Sequence, residues 1–88
     1  MAPGQLLFVL HSGKQVPFEV ELPEAVPCVA EVPHELAPVA PHAVERIVVS
    51  VGGEPRAVLG WEKLYAPRRW VLRLGKWQAA AGAVAPRG

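Results

Sequence analysis

The fold class is decided by residues 5–22, which read QLLFVLHSGKQVPFEVEL. Residues 5–11 form a continuous apolar run, the pattern of a strand that is buried on both faces. Residues 12–14, Ser-Gly-Lys, indicate a turn. Over residues 16–22, apolar side chains alternate with Pro and Glu, as in a strand with one face in solvent. The stretch predicts a β-hairpin, and Pro17 places the second strand at a sheet edge or a bulge because proline has no N–H.

Residues 23–45 form a proline-rich crossover. Five of the ten prolines of the chain lie here within nineteen residues. A helix of ordinary length does not tolerate that spacing, because an interior proline removes a hydrogen bond and clashes with the preceding turn. The segment also contains apolar residues to bury, unlike a disordered linker. We therefore predict an ordered, extended crossover with a short strand at 28–32 and one helical turn beginning at Pro41.

The second half of the chain predicts a β-meander. Residues 46–51 are rich in β-branched side chains, Gly52-Gly53 indicates a hairpin turn, and residues 56–64 provide the next strand. After a break at residues 65–67, a last strand follows in which alternate side chains are expected to face the core: Trp70, Leu72 and Leu74.

These patterns predict a single all-β domain over residues 1–78, followed by a flexible or arm-like tail at 79–88, where small side chains leave little to pack. A chain of 88 residues is long enough for one domain. Five to six short strands joined by short turns and one long Pro-rich crossover fit a small β-barrel or a two-sheet sandwich.

The composition excludes several classes of site. The chain has one cysteine and no Asp, Asn or Thr. It therefore cannot form an internal disulfide, a thiolate metal cage, an Asp-based Mg²⁺ site or an N-glycosylation site. The apolar run at residues 6–10 is too short for a membrane span or a signal peptide. We expect a protein of the cytoplasm, or of a virion assembled there, that is not secreted.

Nothing in the sequence favours catalysis. The side chains that could serve as nucleophile or base are Ser12, Cys28, Ser50, His11, His34 and His42. Cys28 lies between prolines in an apolar stretch, where we interpret it as a small buried hydrophobe. His34 and His42, eight residues apart, match no metal motif, and Glu19 and Glu21 fit the solvated face of a strand. We predict no enzyme, no catalytic residue, no metal or cofactor, and no small-molecule substrate.

Charge is distributed unequally along the chain. Residues 1–45 contain one Lys against six Glu, whereas residues 46–88 contain eight Lys and Arg against two Glu. Such asymmetry fits an acidic half that folds against the basic half, or that pairs with the basic half of a neighbouring subunit. It also fits a surface that binds nucleic acid or another acidic partner.

The last strand carries the candidate partner-binding residues, which are Arg68, Arg69, Trp70, Arg73, Lys76 and Trp77. Its outward face combines Arg with an aromatic side chain, and both types are enriched among the residues that dominate binding energy at interfaces. The alternative for Trp77 is that it covers the end of a small barrel.

We expect a non-enzymatic structural or interaction protein, a small subunit of a larger assembly that binds a protein partner, either itself or the assembly. Apolar residues make up 51% of the chain, more than so small a domain readily buries. Accessory or decoration proteins of virus-like shells provide an analogy. Two alternatives remain open: a small β-barrel that binds nucleic acid through residues 68–77, and a regulatory protein-binding module.

Overall fold

The predicted hairpin is present and begins a six-stranded antiparallel sheet. The computed structural model describes residues 1–77, so the tail expected at 79–88 lies outside the described residues. The strands are β1 (Ala2–Leu10), β2 (Gln15–Leu22), β3 (Cys28–Pro33), β4 (Val44–Val51), β5 (Glu54–Tyr65) and β6 (Arg68–Lys76). Two 3₁₀ turns, at His34–Leu36 and Pro41–Ala43, lie between β3 and β4.

The strands follow the order β2-β1-β4-β5-β6-β3 in one sheet that curls into a half-barrel. This architecture confirms the all-β class, and a single curled sheet takes the place of the two-sheet alternative. The edge strands are β2 and β3, which are consecutive in sequence but lie at opposite ends of the sheet. Pro17 lies in edge strand β2, as its missing N–H predicts.

The crossover is ordered and contains both predicted elements. Its strand is β3, and its helical turn begins at Pro41. Between them, Ala37 and Val39 are buried in the hydrophobic core. The indole Nε1–H of Trp70 donates a 2.9 Å hydrogen bond to the Ala37 carbonyl oxygen. The crossover therefore packs against the inner face of the sheet, the face that carries the core side chains.

Three of the core side chains confirm the alternation predicted for β6, since Trp70, Leu72 and Leu74 are all fully buried. Phe8 of β1 packs edge-on against Trp70, with ring centroids 5.0 Å apart, and against Phe18 at 5.6 Å. Edge-to-face pairs of this kind add stability beyond the area that they bury. An aromatic cluster thus joins strands from both halves of the chain at the centre of the core.

Strand β1, which was predicted to be buried on both faces, is buried along most of its inner face and only partly buried on its outer face. Its inner residues Leu6 and Phe8 are fully buried, and Val9 on the outer face is 6% exposed. Leu7, also on the outer face, is only half-buried, and Gln5 is exposed. The reason is that the described chain forms one sheet, so no second layer covers the outer face of β1.

The turn between β4 and β5 is the predicted Gly52-Gly53 hairpin. Both glycines have positive φ, 60° and 84°. Two-residue hairpins of the type that matches strand twist need positive φ at both central positions, which glycine adopts without steric cost.

The aromatic cluster generates a stability prediction. Phe8→Ala removes a fully buried ring that touches two other aromatic side chains, and we expect it to lower the free energy of unfolding by about 3–5 kcal/mol. Tyr65→Ala is the matched control, because Tyr65 is 61% exposed and its truncation should change stability by about 0.5 kcal/mol or less. Urea unfolding of both variants measures the difference, and equal losses would contradict this description of the core.

Candidate protein-binding faces

The six residues predicted on the last strand do not form one surface. Trp70 is fully buried, so it serves the core and cannot touch a partner in this fold. Arg69 is half-buried: its Nη1 donates to the Pro67 carbonyl oxygen at 3.0 Å, and its Nε lies 3.2 Å from Glu31 Oε1. That ion pair joins the acidic half of the chain to the basic half, so part of the charge asymmetry is used within the molecule.

The other four residues are exposed at separate places. Arg68 lies at the start of β6, beside the β5–β6 turn, and Lys76 lies at its end. Arg73 is exposed on the outer face in the middle of the strand, and Trp77 follows the strand with 49% of its surface accessible. Of these four, Arg73 lies on the outer face among exposed apolar residues.

We define the arginine face as Val29, Leu59 and Arg73, on the outer side of β3, β5 and β6. In register, Arg73 lies between Val29 on β3 and Gly60 on β5. The β5 strand has an irregularity between residues 58 and 60, which places Leu59 over β6. Leu59 and Val29 are 64% and 58% exposed, and together with Arg73 they line a depression of about 260 Å³.

Two glycines form the floor of this face. A Cβ at Gly60 would collide with the Arg73 guanidinium, and a Cβ at Gly75 would lie 3.1 Å from Leu59 Cδ1. The Arg73 and Leu59 side chains therefore lie flat across the two glycines. A cation held flat beside exposed apolar groups is well placed to meet a carboxylate on an apolar partner surface.

A second outer face, on β2, β1 and β4, carries two glutamates beside apolar residues. We define the glutamate face as Leu7, Pro17, Glu19, Glu21 and Val48. Leu7 lies between Pro17 and Val48 in register, which makes an apolar row across three strands. Val48 is 41% exposed, and the neighbouring Glu19 and Glu21 are exposed as well.

The alternation in β2 predicted ordinary solvated charges at these two glutamates and did not reveal the apolar row beside them. The sequence of β1 could have indicated this apolar row. Its unbroken apolar run predicts burial of both faces, but the sheet leaves the outer face uncovered.

A buried lysine was also missed. Lys63 is 9% exposed and lies on the inner face of β5. Its Nζ donates to His34 Nδ1 at 2.8 Å and to the Val39 carbonyl oxygen at 3.3 Å, and it lies 4.3 Å from the centroid of a Trp70 ring. Trp61 packs against the core, and residues two apart on a strand share a face, so this spacing predicts Lys63 on the inner face.

Burial and the nearby Arg68 lower the pKa of Lys63. Burial, Lys63 and Arg68 lower the pKa of His34, and Glu35 opposes that shift. Burial and the two neighbouring positive charges disfavour protonation of His34, so above its lowered pKa the ring is neutral beside the Lys63 ammonium group.

The remaining chemical candidates lie apart. Cys28 is half-buried against the core, and His11 and His42 are exposed. Within residues 1–77, no three side chains of His, Cys or Glu come together in a way that could hold a metal ion. No helix in that part of the chain is long and apolar enough to cross a membrane.

A pair of glycine substitutions tests the geometry of the arginine face. At Gly60 an added methyl group meets the end of the flexible Arg73 side chain, so Gly60→Ala should keep stability within about 1 kcal/mol of wild type. At Gly4 it meets Leu22 Cδ1 at 2.6 Å and the Ser50 backbone oxygen at 3.0 Å, so Gly4→Ala should cost about 1–3 kcal/mol. Thermal or urea unfolding ranks the two variants, and the reverse order would contradict the placement of Arg73.

Comparison with known proteins adds no family to this description: no family model, no curated protein and no solved structure matches the chain. Function therefore has to be derived from the two outer faces and the crossover.

Proposed function

We propose that this protein is a non-enzymatic assembly subunit whose arginine face binds the glutamate face of another copy. The observation that carries the proposal is that one sheet has two outer patches of exposed apolar side chains, one around Arg73 and the other beside two glutamates. Arg73 lies beside Val29 and Leu59 on one face. Glu19 and Glu21 lie beside an apolar row on the other.

Exposed apolar side chains favour a partner because removing them from water stabilises a complex by about 25 cal/mol per Å² of buried apolar surface. Isolated exposed apolar residues are ordinary, but those on the arginine face are clustered around one depression. Arg is among the residue types that most often dominate interface energies, and Arg73 lies at the centre of this face. The opposite charges would fix which face meets which, because like charges brought together at an interface are penalised.

Contacts between two different faces are heterologous, and they close into rings or extend into open lattices. A virus-like shell is an assembly of this type, and we propose that the protein is a small accessory subunit of such a shell, in the cytoplasm or in a particle formed there.

A nucleic-acid platform has weaker support. Such platforms stack successive bases on exposed aromatics, but Trp70 lies in the core and Trp61 packs against it, so Trp77 is the exposed tryptophan of residues 1–77.

The first test is the mass in solution, measured by light scattering after size exclusion at low and high ionic strength. We expect wild type to be larger than the 9.5 kDa single chain at low salt and to dissociate as salt screens the charges. Arg73→Glu should weaken association about tenfold or more, because it places acidic side chains opposite each other. The matched control is Lys14→Glu, an equal change of charge in the exposed β1–β2 turn, which should assemble like wild type.

Exchange of charges distinguishes this pairing from other modes of association. Arg73→Glu and the double variant E19K/E21K should each fail to assemble alone. Mixed in equal amounts, they should form a complex, because the acidic version of one face then meets the basic version of the other. A wild-type chain that is monomeric at every salt concentration, or a mixture that stays monomeric, would sink the proposal.

A further inference from the structure

The described part of the chain buries one charged side chain, and that side chain binds the crossover. Lys63 offers its Nζ to two acceptors of the crossover, His34 Nδ1 at 2.8 Å and the Val39 carbonyl oxygen at 3.3 Å. Trp70 donates to a third, the Ala37 carbonyl oxygen. A buried ammonium group needs such acceptors, because an unpaired charge in the interior is costly.

These contacts concentrate on one short segment. The Ala37 N–H donates to the His34 carbonyl oxygen at 3.0 Å, and the Val39 N–H donates to the Ala37 carbonyl oxygen at 2.8 Å. Residues 34–39 thus fold as a tight turn that the inner face of the sheet holds at three points. The buried residues of this turn, Ala37 and Val39, are small and contribute little apolar area. Polar contacts therefore carry much of its attachment.

The hydrogen bond to Lys63 requires a particular form of His34. An ammonium group has donors and no acceptor, so His34 Nδ1 must carry a lone pair, and the ring proton must be on Nε2. Protonation of Nδ1 converts this acceptor into a donor and faces it with the Lys63 ammonium group. The charged groups around the ring are Lys63 of β5, Arg68 of β6 and Glu35 of the turn itself. Glu31 of β3 and Arg69 of β6, which pair with each other, line the same cleft.

We propose that protonation of His34 releases residues 34–39 from the inner face of the sheet, so that the crossover is an acid-operated latch. Loss of the Lys63–His34 bond leaves two positive charges in contact, with a third at Arg68. Glu35 can offset one of them, but not all three. Separation of the turn from the sheet lets water reach both His34 and Lys63 and relieves the repulsion.

The direction of the pH effect follows from the lowered pKa of His34. In the released or unfolded chain His34 takes up its proton at an ordinary pKa of about 6.5. In the closed state it does so only at lower pH. Between those two values the released form binds more protons, so stability of the closed latch is full above about pH 6.5 and falls as pH decreases through that window. Below the pKa of the closed state no further loss arises from this group.

The test is amide hydrogen exchange by NMR between neutral and mildly acidic pH. The protection factors of the Ala37 and Val39 amides should fall at least tenfold as pH falls. The Gly52 amide, which donates to the Pro3 carbonyl oxygen away from the crossover, should keep its protection and serves as reference. In the His34→Gln protein the protection factors should stay constant as pH falls, because an amide oxygen can accept a hydrogen bond from Lys63 and does not titrate. His42→Gln, at an exposed histidine of the same crossover, is the matched control and should behave like wild type.

A second measurement keeps the proposal testable if His34→Gln does not fold. Ring ¹⁵N shifts of the wild-type protein should show His34 with its proton on Nε2 at neutral pH and a pKa below the ordinary histidine value of about 6.5. Constant protection at Ala37 and Val39 across the titration of His34 would overturn the latch. So would an unshifted pKa for His34, or an equal pH dependence in the His34→Gln protein.

Discussion

The hydrogen bond from Trp70 Nε1 to the Ala37 carbonyl oxygen joins the two parts of the molecule that differ most in character. On one side is a regular antiparallel sheet, and on the other is a proline-rich segment whose backbone cannot form long runs of secondary structure. The same indole packs against Phe8 and Trp61 and lies under the Lys63 ammonium group. Position 70 therefore requires an aromatic ring that is large and apolar and that also has an N–H donor. Tryptophan alone combines these properties.

A second constraint is that one curled sheet has two faces and the crossover covers only the inner one. The outer face of the sheet has exposed apolar side chains in two places, around Arg73 and around Leu7. Within residues 1–77, no second layer of strands covers them. The assembly proposed above would bury this surface between molecules. The single ion pair between β3 and β6 uses little of the charge on that surface.

Local pattern was enough to predict the hairpin, the edge position of Pro17, the core face of β6, the Gly52-Gly53 turn and the two ordered elements of the crossover. Each of these depends on alternation or on the backbone limits of Pro and Gly, which act over a few residues. Lys63 and His34 could not be paired in this way, because they are 29 residues apart and meet only after β5 and the crossover have packed. Trp70 was predicted both for the core and for the partner-binding set, and its complete burial assigns it to the core.

The placement of β3 has a consequence for how the chain acquires its structure during synthesis. Among the six strands of residues 1–77, β3 bonds to β6 alone and has no bonded neighbour among the strands made before it. When it leaves the ribosome it is an unpaired strand, and it stays so until β4, β5 and β6 have followed. Pro27 precedes β3, and Pro33 is its last residue. Because proline has no N–H, the two prolines, together with the charged Glu31, interrupt the hydrogen-bond ladder that another nascent chain would need in order to pair with β3. The prolines of the crossover thus protect the growing polypeptide from premature pairing as well as shaping the finished fold.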